Sequence, residues 1–377
     1  MRAQVLEAFN EPYVLRDIPS PPSTPSGQDL LIAVKAASYC HTDAVFASGA
    51  MQWRSLPRVG SHEFAGTILA LGPNVPADLD LAVGQRVGVP GRAFHCCGTC
   101  RECTAHNGGD RAGYGVHCTK AGNLGLSADG GFQERCVVDA CQVAPVPEGL
   151  AAVEVAPLMC AGLTIWNALE RGGVRLDGCG VGNDGVRVAI SGAGGGLGHL
   201  GVQFAVKLGC EVVALEASDK ALELLQEVVR ELGALGKRVT IVDVRKEKAE
   251  EVRFAVCGAP DEPALEGEKG VDCALVLPEA QAALDYCMKL LRNHGTCVCV
   301  SFPKEGFQFQ PADLVFRHIN MVGVLVGRNR QLRAMLNFAA TQGVRAKTTT
   351  YPLERLNELV EDYHKGVSGK LVIDMAL

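Results

Sequence analysis

The run Val186-Arg187-Val188-Ala189-Ile190-Ser191-Gly192-Ala193-Gly194-Gly195-Gly196-Leu197-Gly198 decides the fold. Apolar, β-branched residues lead into a glycine-rich turn, and a helical run at 197–208 follows it, so the segment reads as strand, turn and helix. Backbone amides at the helix start, together with the helix dipole, favour an anion at the turn, and a dinucleotide pyrophosphate suits it. The spacing departs from G-x-G-x-x-G: Gly192, Gly195 and Gly198 make G-x-x-G-x-x-G, with Gly196 and Leu197 completing the turn. The next expected strand, 211–216, ends in Glu216. A carboxylate there accepts hydrogen bonds from both hydroxyls of an adenosine ribose and repels a 2′-phosphate, which favours NAD over NADP. A solvated acid at a strand end is the plainer alternative. Lys220 either leans on the same ribose or is a surface lysine opening a helix.

Outward from this unit the alternation continues, with strands expected at 239–244, 271–277, 296–302 and 321–326 and helices at 219–232 and 279–292. That order predicts βαβ units and a parallel sheet over 162–326. Upstream, short β-branched runs at 29–40, 62–71, 83–89 and 132–146 alternate with Gly and Pro breaks and read as a β-rich unit. Two more helices, 331–340 and 353–363, precede a strand at 370–374 that is expected to return to it. The expected class is α/β, with one domain from 1–161 and 327–377 and the other from 162–326.

A chain of 377 residues and 39.8 kDa suits two domains, and 47% hydrophobic with 21% charged residues suits a folded globular protein. The net charge of −6 comes without any basic block, which argues against nucleic acid as a partner. The stretch 155–169 carries Pro157, Gly162, Thr164 and Asn167 and falls short of the ~20 apolar residues of a membrane helix. Glu7 lies where a secretory signal places its apolar core, so a cytoplasmic location and no membrane association are expected.

Sixteen cysteines are spread along the chain, several inside apolar runs such as Cys297-Val298-Cys299, where they read as small buried residues. The cluster Cys96, Cys97, Cys100 and Cys103 is different, because such density in a reducing compartment favours metal ligation by thiolates. Elsewhere Cys40 closes an expected strand, His62 follows Gly60-Ser61, and Cys160 stands just ahead of the dinucleotide sheet. If these segments converge, two thiolates and one imidazole leave a fourth tetrahedral position open on zinc, as catalytic sites require. Taken singly, Cys160 reads as packing and His62 as a satisfied core histidine.

Cys40-His41-Thr42-Asp43, Gly60-Ser61-His62-Glu63-Phe64-Ala65-Gly66, the Cys97-x2-Cys100-x2-Cys103 cluster, Leu158 to Thr164 and Ser191 to Gly198 occur together in one order. In this the sequence resembles the zinc-dependent medium-chain alcohol dehydrogenases over nearly its whole length, most closely their yeast-type tetrameric branch. The resemblance implies a GroES-like β-rich catalytic domain beside a Rossmann domain. Two zinc ions per chain are expected: one catalytic on Cys40, His62 and Cys160, and one structural on Cys97, Cys100, Cys103 and a fourth thiolate. That fourth ligand is taken as Cys118, reached across an insertion near 108–115, rather than Cys96, because adjacent cysteines do not easily reach one ion. Asp43 is expected to orient the ligand histidine, and Glu63 to lie behind the metal.

The implied activity is hydride transfer between an alcohol and NAD, or between NADH and an aldehyde or ketone. Zinc lowers the pKa of a bound water from 15.7 to about 7, and an alcohol in its place is expected to be acidified similarly. Thr42 matches the hydroxyl that takes the alcohol proton, but the family's outer relay histidine is replaced by Val45. His41 matches a residue near the pyrophosphate, Thr164 a nicotinamide contact, and Lys370 a phosphate-binding arginine. Arg92 falls at a pocket position, where it favours a bulkier or anionic carbonyl, or is a surface arginine; Phe302 is expected on the opposite wall. Further insertions fall near 178–185 and 257–268. A homodimer or homotetramer is expected through an edge strand at 321–327. The alternatives are a same-fold reductase of an activated C=C or imine, and, more remotely, a zinc-stabilised binding module.

Overall fold

A computed structural model describes residues 1–51, 55–105, 114–177, 182–256 and 267–377. The expected insertions near 108–115, 178–185 and 257–268 fall largely outside the described residues. By backbone proximity the chain divides into two units, Met1–Leu163 with Val326–Leu377, and Thr164–Leu325.

The first unit is built on a seven-stranded sheet. Its path runs Ala144–Pro145, Arg86–Pro90, Glu63–Leu71, Asp29–Tyr39, Lys370–Asp374 and Thr348–Tyr351, and Arg135–Asp139 also pairs with Asp29–Tyr39. Ile32, Phe64, Ile68, Val87 and Phe132 are buried in its core; a large apolar side chain withdrawn from water in this way contributes roughly 1.5–3 kcal/mol. Register is what matters for function. Ser38 lies opposite Glu63 and Tyr39 opposite Leu371, so the end of the long strand brings Cys40, Glu63 and Lys370 to one place. Beyond Tyr39 the chain turns directly into the helix His41–Ala47, which the sequence did not signal.

Several expected strands are shorter. The run at 132–146 is two strands, Arg135–Asp139 and Ala144–Pro145, because Asp139 Oδ1 accepts the Cys141 amide at 2.8 Å and turns the chain. The strand expected from 83 begins at Arg86, after Gly84 at φ +86°. Leu353–Arg355 is a 3₁₀ turn ahead of the helix Leu356–His364.

The second unit is a six-stranded, wholly parallel sheet in the order Val239–Asp243, Glu211–Glu216, Arg187–Ser191, Val271–Val276, Leu291–Cys299 and Asn320–Gly323. Ala189, Val213, Ala274, Val276, Cys287 and Cys297 are buried among its core residues, and Cys273, Cys287 and Cys297 are fully enclosed, so these cysteines serve as small apolar groups. Strand order reverses on either side of Arg187–Ser191, the topological switch point where doubly wound sheets bind ligands. Among the described residues no single helix is long and apolar enough to cross a membrane.

The turn at the switch point depends on glycine in two ways. Gly192 has φ +74°, which disfavours side chains, and a Cβ on Gly198 would run into the Gly192 carbonyl, so the helix Gly198–Lys207 starts closely against the strand end. Gly198→Ala is expected to cost this unit about 1–3 kcal/mol through the forced backbone shift. A thermal unfolding midpoint unchanged from the unsubstituted chain would show that the turn yields without cost.

Candidate metal and dinucleotide sites

Among the described residues, two groups of metal-ligating side chains stand close enough to hold an ion, Cys40 with His62 and Cys160, and Cys97 with Cys100, Cys103 and Cys118. In each, the ligand atoms all lie within 4.8 Å of one another.

The first group is assembled by backbone geometry and one carboxylate. Cys40 caps the helix His41–Ala47, and its amide donates to Asp43 Oδ2 at 2.9 Å. The other oxygen of Asp43 accepts from His62 Nδ1 at 3.1 Å. His62 is presented by a turn at Ser61, which has φ +68° and whose hydroxyl donates to the Ser38 carbonyl at 3.0 Å. With Nδ1 occupied, Nε2 is the nitrogen left over; it is buried and has no hydrogen-bond partner. An orphaned buried imidazole nitrogen beside two sulfurs fits a thiophilic cation, and three protein ligands leave one tetrahedral position for another molecule. Sharing a proton with Cys160 holds the Cys40 thiol well below its usual range and pushes that of Cys160 well above it.

Behind this group lies a buried ion pair. Lys370 Nζ donates to Glu63 Oε1 and to the Tyr39 carbonyl, the latter at 3.1 Å. Burial pushes the Glu63 carboxyl up to about 7 against the pull of Lys370. The ammonium expected at a cofactor phosphate is thus 4% exposed and turned inward onto Glu63, because a cation enclosed at the strand end needs a carboxylate partner. Sequence gave no sign of this pair, whose members are 307 positions apart. Nor did it signal the contact of His41 Nδ1 with the Tyr363 hydroxyl, at 2.8 Å. Thr42 and Val45 are half-buried on the same short helix.

The second group lies on one lobe. Cys100 and Cys103 sulfurs are 3.5 Å apart, and those of Cys118 and Cys97 are 3.7 Å apart. Amides of Thr99 and Cys100, with the Thr99 hydroxyl, hold the Cys97 thiol down to about 6 and favour its thiolate. Cys96 faces the Ala93 and Gly115 carbonyls at 3.4 Å, and burial pushes its thiol up to about 11. The four thiols with Cys118 as the last therefore suit a closed tetrahedral zinc site. Arg92, half-buried, donates from Nε to the Val116 carbonyl at 2.8 Å, on the segment that carries Cys118.

In the second unit, Glu216 Oε2 accepts the Gly194 amide at 3.0 Å, so the carboxylate at the second strand end touches the glycine turn. Gly192, Gly195 and Gly198 lie on that turn, Lys220 is exposed in the first turn of the helix Asp219–Glu231, and Thr164 is buried in the helix Ala161–Arg171. Phe302 is 72% exposed.

Cys118→Ser is expected to lower the metal content of the purified protein by one equivalent and to destabilise it, whereas Cys96→Ser should retain the full complement. Elemental analysis of both variants decides; loss of metal from Cys96→Ser alone would make Cys96 the fourth ligand.

Residues 26–148 match the family described as "Alcohol dehydrogenase GroES-like domain", and residues 196–341 match "Zinc-binding dehydrogenase". An alcohol dehydrogenase of Geobacillus stearothermophilus is 32% identical over 375 residues, covering 99% of both chains. The alcohol dehydrogenase structure from Aeropyrum pernix superimposes with a TM-score of 0.78 at 26% identity, covering 99% of this chain and 100% of that one. A cobalt- and zinc-bound alcohol dehydrogenase of Pyrobaculum aerophilum gives a TM-score of 0.77 at 25% identity, covering 99% and 98%. With its metal-ligating side chains gathered and its glycine turn at the sheet's switch point, the chain belongs to the zinc-dependent medium-chain alcohol dehydrogenase family.

Proposed function

We propose that Cys40, His62 and Cys160 hold the catalytic zinc of an NAD-dependent oxidoreductase that interconverts an alcohol with its aldehyde or ketone. The observation that carries this reading is the unpartnered Nε2 of His62 beside two cysteine sulfurs, with Nδ1 fixed by Asp43. A zinc ion in that position supplies Lewis acidity, making an alcohol hydroxyl acidic and polarising a carbonyl oxygen. Asp43 fixes the imidazole tautomer and orientation. Glu63 and Lys370 form a charge-balanced pair behind the ligands, and Lys370 serves Glu63 rather than a phosphate. The Thr42 hydroxyl would accept the alcohol's proton in a hydrogen bond while giving its own up toward solvent, and bound NAD would supply the hydride acceptor. In the second unit the glycine turn receives the pyrophosphate, and Glu216 takes the adenosine ribose in preference to a 2′-phosphate.

Val45 offers no base, so the proton leaves Thr42 without an imidazole at that helix position. Val45→His is expected to shift the pH dependence of kcat by adding a group that titrates near neutrality. A superimposable pH–rate profile would remove Val45 from the relay. The activity itself is read as NADH formation at 340 nm with a panel of aliphatic, aromatic and carboxylated alcohols, alongside metal content; a fully metallated protein that binds NADH yet turns over no alcohol or carbonyl would overturn the reading.

The strand Asn320–Gly323 ends the parallel sheet, and Val315 and Phe316 nearby are 71% and 83% exposed, which supports a homo-oligomer that extends the sheet across this edge. Light scattering should give a multiple of 39.8 kDa; a monomeric mass removes this arrangement.

A further inference from the structure

The turn after Glu211–Glu216 gathers more charge than recognition of a ribose diol requires. Glu216 Oε2 accepts from Gly194, and Oε1 accepts from the Ala217 and Ser218 amides at 2.8 and 3.2 Å. Three N–H groups converging on one point form an anion nest, and here the chain fills it with its own carboxylate. Glu216 lies in register with Asp243 on the neighbouring strand, and the Val244 amide donates to the Glu216 carbonyl at 3.1 Å. Two residues beyond Asp243, Arg245 donates from Nε to Asp243 Oδ1 and from Nη2 to Asp243 Oδ2, both at 2.8 Å. The same Nη2 reaches Asp219 Oδ1 at 2.6 Å, on the first turn of the helix that follows Glu216. Lys246 Nζ stands 2.9 Å from Asp243 Oδ2.

We infer that Asp219 and Asp243 withhold Arg245 from a 2′-phosphate, so that rejection of a 2′-phosphorylated dinucleotide depends on this clamp as well as on Glu216. The inference rests on the assignment of Glu216 to the adenosine ribose. A 2′-phosphate arriving there meets a carboxylate, amides that are already engaged, and a guanidinium fork that is already bidentate. Asp219 and Arg245 are 79% and 40% exposed on their side chains, so their pair adds little to stability; its effect is to aim the fork. Guanidinium is the cation best matched to phosphate, which makes its orientation consequential. Removing the Glu216 charge empties the nest but leaves Arg245 engaged; removing the Asp243 carboxylate as well takes away both bidentate contacts and leaves the fork only its Nη2 bond to Asp219.

Dissociation constants for NADPH and NADH, measured by fluorescence titration, test this across four proteins: the unsubstituted chain, Glu216→Ser, Glu216→Ser with Asp243→Ala, and that pair with Arg245→Ala. The NADPH preference should rise with the first substitution, rise roughly tenfold further with the second, and fall back with the third. Equal preference in the single and double variants, or a gain that survives Arg245→Ala, overturns the clamp. If the unsubstituted chain binds NADPH as tightly as NADH, the assignment of Glu216 fails as well; NADH selectivity in that chain with no further gain from Asp243→Ala sinks the clamp alone.

Discussion

One carboxylate holds the candidate metal centre in shape. Asp43 is buried, and its two oxygens do different work: one takes the Cys40 amide at the start of a helix, the other the His62 imidazole at the start of a strand. A ligand from each of two chain segments is therefore set by a single side chain. Both of its donors are buried, so loss of the carboxylate would leave unsatisfied groups as well as a free ring, a cost well beyond one hydrogen bond.

Charge explains the surroundings. Two thiolates would neutralise a divalent ion and a neutral imidazole would add nothing, so a ligand set of Cys40, His62 and Cys160 would balance without help. Glu63 would upset that balance if it stood alone in the same enclosed place; Lys370 answers it from across the intervening strand Asp29–Tyr39. The pair contributes little net stability against an apolar alternative, but either member left alone would be costly.

Much of this was legible in the chain because it was local. The strand and glycine turn at 186–198 and the cysteine spacing at 97–103 carry their meaning within a few residues, and the parallel sheet follows from a repeated alternation. What was hidden depends on register. That Ser38 faces Glu63 while Tyr39 faces Leu371 is a property of pairings between distant strands, and only those pairings make Lys370 a partner of Glu63. Similarly, the helix His41–Ala47 is too short to display a period, and its existence depends on Cys40 and Asp43 capping it. The structure distinguishes Cys118 from Cys96 by fold rather than spacing, since only the former is returned to the other three sulfurs.

The Glu63–Lys370 contact also has a bearing on the order in which the protein is made. Cys40, His62 and Cys160 are all translated well before Lys370, yet the cation that balances Glu63 emerges 307 residues after it. Until the strand Lys370–Asp374 docks, that carboxylate has either to remain in water or to take up a proton. The nascent chain therefore cannot enclose Glu63 in its finished electrostatic setting until the strand Lys370–Asp374 has been synthesised.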